Sequence, residues 1–202
     1  AAPIASGIGW AHQPGLLDGA RVDVAAANRL LDEAGLARGD SGVRATLDIL
    51  HFPAFARYSE LMRQQLAAIG IALNVRQLDA AAFAPAVFSE RAFDLALISY
   101  CNGVDPEIGV RRMYHSSAIG TVPFSNAAHI RDAEIDRLFD LAGSTGDTAA
   151  RGEAYRAAQR RIVELLPYWW LVETDYPAAW RNDLVGFSPW TGQFAETAWR
   201  RR

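Results

Sequence analysis

"FDLALISYCNGVDPEIG", residues 93–109, decides the fold. Its first part is a mostly apolar run, Phe93, Leu95, Ala96, Leu97 and Ile98, interrupted only by Asp94. A half-buried strand alternates apolar and polar residues; a strand inside a parallel sheet is covered on both faces and does not. The run therefore predicts a parallel strand over 93–98, the most buried of the sheet. It then breaks into Tyr100, Cys101, Asn102, Gly103, Val104 and the stiff pair Asp105-Pro106. In open parallel sheets ligands sit beyond the carboxyl ends of strands, where the strand order switches. This mixed loop stands at such an end.

The residues upstream supply the rest of the sheet. "ATLDILHF" (45–52) alternates Leu47, Ile49 and His51 against Thr46, Asp48 and Leu50, a strand pattern. "IALNVRQL" (71–78) does the same with Ile71, Leu73 and Val75. Between them, Tyr58, Met62, Leu66 and Ile69 share a helical face that ends at Gly70. Residues 79–91 read as a helix broken or kinked at Pro85. Ahead of the first strand, Asp23 caps a helix carrying Ala27, Leu30, Leu31 and Ala34 on one face, with Gly35 at its exit. Strand, helix, strand, helix, strand is the order of right-handed crossovers. The expected fold is α/β, a largely parallel sheet flanked by helices.

The second half is helical. Ile135, Leu138, Phe139 and Ala142 share a face over 132–142. Asp147 caps a longer helix that turns Tyr155, Ala158, Ile162 and Leu165 inward. "PYWWLVETDY" (167–176) reads as a strand with one tryptophan ring toward the core, and "PAAWRN" continues extended. Residues 1–21 and 183–202 show no periodicity and read as irregular ends.

Composition narrows the classes. The 202 residues carry a net charge of −3, and half are apolar. No basic field for nucleic acid exists. No run of about 18 apolar residues is available to span a membrane as a helix. All 20 basic residues are arginine. The one cysteine, Cys101, has no partner for an internal disulfide. His12, His51, His115 and His129 lack ligand-like spacing, so no metal site and no cofactor are expected. Cys101 with His115 lacks a third orienting group, and no catalytic residue is assigned.

The loop residues admit two readings each. Tyr100 offers a flat face with a hydroxyl, and Asn102 a donor and an acceptor, for a ligand or for packing. Asp105-Pro106-Glu107 is a helix start, with cap, proline and first-turn acid, besides facing a ligand.

"VDVAAANRLLDEAG", "LMRQQLAAIGIALNVRQLD", "FDLALISYCNGVDPEIGVRRMYHSS", "PFSNAAHIRDAEIDRLFDLA" and "AYRAAQRRIVELLPYWWL" occur in this order. Over roughly residues 14–190 the chain resembles the family 5 solute-binding proteins of bacterial ABC importers, the dipeptide, oligopeptide and nickel-binding group. The resemblance is to the C-terminal lobe only. It implies a lobe of the periplasmic-binding-protein type II kind over 1–202, with 1–21 and 183–202 touching a missing N-terminal lobe. It implies a non-enzymatic protein, periplasmic or extracellular and lipid-anchored through a missing N-terminus, that traps a solute between lobes and delivers it to a membrane permease.

In peptide-binding members an acidic residue three positions before the Asp-Pro-like pair holds the ligand's amino group; here it is Asn102. A family tryptophan near the strand end is matched by Tyr100, in a loop one residue shorter. Both departures weigh against free dipeptides and oligopeptides, and leave modified peptides, opines, sugars and other amphiphilic solutes. "SNAAHI" (125–130) corresponds to a segment near the cleft rim. The ligand-binding candidates are thus Tyr100, Cys101, Asn102, Asp105, Asn126 and His129. A stand-alone protein-interaction module without a small ligand is the rival expectation.

Overall fold

The computed structural model describes residues 1–174 and 179–185, and the backbone of 199–200. It divides into two units, residues 1–171 and 172–202. In the first unit the order is α1 (Val24–Glu33), β1 (Ala45–His51), α2 (Ala56–Ala67), β2 (Ile71–Gln77), α3 (Ala80–Pro85) and β3 (Leu95–Leu97). The helical half follows as α4 (Pro106–Gly109), α5 (Arg111–Tyr114), α6 (Ala133–Gly143) and α7 (Thr148–Leu165). In the second unit β4 (Leu184–Val185) pairs antiparallel with β5 (Trp199–Arg200).

The three predicted strands form one parallel sheet in the order β2–β1–β3. Register is set by pairs such as Ile49 with Val75 and His51 with Leu97. The first crossover runs from β1 out to β2, and the second passes back over β1 to β3. Right-handed connections in opposite directions put their helices on opposite faces. The packing follows: Met62, Leu66 and Ile69 cover Ile49, Ile71 and Leu73, together with Leu95 and Leu97. On the other face Phe83, Val87 and Phe88 pack with Leu50, Ala96 and Ile98.

One expectation is corrected here. The 93–98 run is not the most deeply buried strand. Phe93 and Leu95 to Ile98 are half-buried, whereas Ile49 and Leu50 are fully enclosed. β3 stands at the end of the strand order, with β1 at the centre. Helices do cover both of its faces, as the apolar run requires, but among the described residues a strand lies on only one side of it.

The helix signals mostly hold. Asp23, Asp79, Asp132 and Asp147 each accept a backbone N–H at the start of their helices. Gly70 leaves α2 at φ +83°, a conformation that L side chains rarely adopt. Pro85 ends α3, and the chain continues as one π turn over Ala86–Glu90. A proline has no N–H for the regular ladder, which fits a change of winding there. Leu30, Tyr58 and Leu165, expected on inward faces, are exposed.

The second core lies among α4–α7 and contains Val110, Met113, Tyr114, Ile135, Phe139, Tyr155 and Ile162. Residues 1–21 have no helix or strand, yet Ile4, Ile8 and Ala11 are buried in this same core. α7 grips that segment through polar bonds. Gln159 Oε1 accepts the N–H groups of Ile4 and Gln13, each at 3.3 Å. Gln159 Nε2 donates to the Ala11 carbonyl at 2.8 Å, and Arg156 donates to that of Trp10 at 2.8 Å.

The strand expected over 167–176 is absent from its described part, 167–174. The alternation it rested on is real: Tyr168 and Trp170 pack on the core while Trp169 is 71% exposed. Side chains hold the stretch instead of a ladder, with Trp170 Nε1 donating to the Tyr114 hydroxyl at 3.0 Å. The end expected to be irregular over 183–202 is corrected where it is described, since backbone pairing makes Leu184–Val185 and Trp199–Arg200 two short antiparallel strands; residues 175–178, 186–198 and 201–202 of these expectations lie outside the described residues. Among the described residues no helix is long and apolar enough to cross a membrane.

Candidate functional site

The strand order reverses between β1 and β3, so a crevice belongs beyond their carboxyl ends. Two segments leave there. One is Phe52–Phe55 after β1, which makes a short 3₁₀ turn over Pro53–Phe55 into α2. The other is the 98–105 loop after β3.

Within that loop the side chains part company. The half-buried Tyr100 ring meets Phe124 edge-on at 6.3 Å and Tyr168 at 6.0 Å. Its hydroxyl donates to the Ser125 carbonyl at 2.9 Å. Burial, then the neighbouring Tyr168, pushes its ionisation far above the usual phenol range. Cys101 is exposed. Asn102 turns the other way, and its Oδ1 accepts the Ala5 N–H at 2.6 Å.

Asp105 is a cap in fact. Its Oδ1 accepts the Glu107 N–H at 2.9 Å and pairs with Arg151 at 2.7 Å. The Arg151 hydrogen bond holds its carboxyl below the usual range. The same guanidinium lies 5.0 Å from the Trp10 ring and 5.7 Å from that of Tyr155. The turn between Asn102 and α4 is very tight. A Cβ on Gly109 would sit 2.0 Å from the Asn102 carbonyl oxygen, so only glycine fits.

Asn126 and His129 occupy a tight turn before α6. Asn126 is 1% exposed. Its amide donates toward the carbonyls of Tyr114, His115 and Ile130 at 3.3, 3.2 and 2.9 Å, and its Oδ1 accepts the Ile130 N–H at 3.1 Å. Both ends of this side chain are thus committed within the chain. His129 is half-buried at φ +54°. Burial, then Arg91 and Arg131, lowers its pKa. The structure therefore joins Tyr100 to the 124–126 segment, ties Asn102 and Asp105 to the N-terminal segment and α7, and leaves Cys101 in solvent.

His115 is buried, and its Nδ1 accepts the N–H and hydroxyl of Ser117 at 3.1 and 2.7 Å. Among the described residues no group of three or more His, Cys, Asp or Glu is arranged to hold a metal ion.

The sequence reading passed over the aromatics after β1. Phe52 packs against the buried Phe83 at 4.1 Å with the rings tilted by 30°, Phe55 follows at 6.4 Å, and Tyr58 at a further 6.3 Å. The signal was present in "HFPAFARY", three aromatics spaced by three directly after a strand.

The sequence profile of the bacterial extracellular solute-binding proteins, family 5, matches residues 1–121. The chain belongs to this family. Those residues contain the whole parallel sheet and the 98–105 loop. Protein XP55 of Streptomyces lividans is 28% identical over 168 residues, covering 76% of this chain and 29% of that protein. A dipeptide-binding protein of Pseudoalteromonas sp. SM9913, solved with Met-Leu, superposes with a TM-score of 0.67 at 26% identity over 78% of this chain and 31% of its own. NikA of Staphylococcus aureus, solved with Ni(L-His)2, gives 0.67 at 14% identity over 82% and 34%. The last likeness shows the fold alone. The chain spans about a third of the length of these three proteins.

Proposed function

We propose that these residues form one lobe of the solute-binding component of an ABC importer, working in the periplasm or at the cell exterior. The family match over residues 1–121 carries this reading. The mechanism is capture without chemistry. A solute bridges this lobe and a second one, closure about a hinge excludes water, and the closed form docks on a membrane permease.

The rim chemistry supports a peptide-like or other small amphiphilic solute without a free amino end. Asn102 is uncharged and holds Ala5, and the Asp105 carboxylate is paired with Arg151. In the 98–105 loop neither of these side chains is left as an anion for an ammonium group. Tyr100 supplies an apolar wall to the rim, and Cys101 and Val104 are among its exposed members.

Calorimetry of the intact protein tests the reading with free and N-acetylated dipeptides, an opine and a disaccharide. Saturable micromolar binding of at least one, with the N-acetylated peptide favoured over its free form, is expected. Binding of none, or a strong preference for the free amino end, overturns it.

A further inference from the structure

The four rings after β1 form a graded series from core to solvent. Phe83 is fully buried, Phe52 and Phe55 are half-buried, and Tyr58 is 39% exposed. Successive centroids lie 4.1, 6.4 and 6.3 Å apart. The core accounts for the first two rings, because Phe52 and Phe83 pack in one cluster with Leu50 and Ile98. It does not account for the outer pair, which extend the series beyond the sheet.

Helix formation does not account for them either. The N-cap of α2 is Phe55, without a side-chain capping bond. Ser, Thr, Asp or Asn is preferred at such a position and typically stabilises the helix by about 1 kcal/mol. The other long helices of this chain, α1, α6 and α7, all have a capping aspartate. A local rule broken in one of the four long helices, with an aromatic in place of the cap, is where a functional constraint is expected.

The location supplies that constraint. His51 pairs with Leu97, so Phe52 leaves the sheet level with Ile98, two residues before Tyr100. The aromatic series therefore begins at the switch between β1 and β3, where a ligand crevice belongs. Rings in this arrangement present faces and edges to a further planar group at the separations aromatic pairs prefer.

We propose that Phe52, Phe55 and Tyr58 form a subsite that receives a planar aromatic or bulky apolar group of the solute. This rests on the reading of the chain as a solute-binding lobe, and adds the side-chain class that the lobe selects. Phe52 is the floor of the subsite, since it is fixed against Phe83. Phe55 and Tyr58 are its adjustable wall.

The test uses the intact protein and N-acetylated Ala-Phe, Ala-Trp and Ala-Ser as calorimetric probes. The aromatic probes should bind about tenfold or more tightly than the serine probe, the discrimination an apolar pocket gives. Phe55→Ala and Tyr58→Ala should remove most of that advantage and leave the serine probe unchanged, while Tyr58→Phe keeps it. Circular dichroism melts confirm that the variants are folded, and Tyr58→Ser and Phe55→Ser, which also remove the rings, decide the matter if an alanine variant is not. Equal binding of all three probes, or variants that weaken the aromatic and serine probes alike, overturns the subsite. If a disaccharide or opine binds and no dipeptide does, the solute-binding reading stands and the aromatic subsite falls. If nothing binds, both fall.

Discussion

Asn102 Oδ1 accepts the backbone N–H of Ala5 at 2.6 Å, across 97 residues of sequence. This bond joins the loop after β3 to the N-terminal segment that α7 also grips. The loop and the segment are therefore held in register by a side chain, with no strand or helix between them. Asn102→Ala leaves the Ala5 N–H without its partner and should cost about 1–2 kcal/mol. Asn102→Asp retains an acceptor and should cost less. Urea denaturation orders the two, and an alanine variant as stable as the parent removes the bond from the account.

The Asp105–Arg151 pair gives a pH-dependent term. The folded pKa of Asp105 is depressed, chiefly by the Arg151 hydrogen bond. Its contribution is complete above the unfolded carboxylate value and is lost as pH falls through the lower folded one. Asparagine also caps helices, so Asp105→Asn isolates the charge. That variant should be about 1–2 kcal/mol less stable at pH 7 and converge on the parent in strong acid. Parallel denaturation curves at the two pH values, with a constant gap, would contradict this.

Gly109→Ala drives a methyl group into the Asn102 carbonyl oxygen, a backbone atom that has no rotamer to escape into. The expected loss is about 1–3 kcal/mol, the range for overpacking. Gly120→Ala is the control, since nothing lies within 4 Å of its added methyl. Thermal melts should show a clear drop for the first and almost none for the second.

Asn126→Ala deprives buried backbone groups of Tyr114, His115 and Ile130 of their partner. A loss of about 2–3 kcal/mol is expected, the scale of an unsatisfied buried polar group. Solute affinity of the folded fraction should stay near that of the parent. A variant that keeps its stability but loses solute binding would return Asn126 to the ligand contacts.

If the proposed reading as one lobe of two holds, residues 1–202 alone should bind solute poorly. Small-molecule sites enclose most of their ligand, and a single lobe covers one side of it. Titrating the isolated chain, followed by its melting temperature, should give nothing tighter than about millimolar. Stabilisation that saturates at micromolar solute would mean that one lobe is a complete site.

Local pattern was sufficient for the sheet. Period-two alternation in 45–52 and 71–78, a mostly apolar run at 93–98 and helical spacing between them are satisfied together by parallel strands with crossovers. The capping aspartates at 23 and 147 were legible for the same reason, because a cap acts within three residues of itself; those at 79 and 132 follow the same rule but were not singled out. The loop at 98–105 was also legible as the segment that leaves the carboxyl end of a sheet strand.

What each loop residue does was decided by tertiary structure. Asn102 and Tyr100 carry hydrogen-bonding groups whose partners, Ala5 and Ser125, are 97 and 25 residues away. No spacing rule reaches that far. Ile4, Ile8 and Ala11 looked like part of an irregular lead-in because turns, not a helix, bring them to one side. The most buried strand turned out to be 45–51 and not 93–98 by the same logic. Hydrophobicity records how much of a strand is covered, whereas its place in the order depends on which crossover reverses. The ring series at Phe52, Phe55 and Tyr58 combines both cases: the spacing stood in the sequence, but only the folded chain brings Phe83 beneath it and sets its base at the switch between β1 and β3.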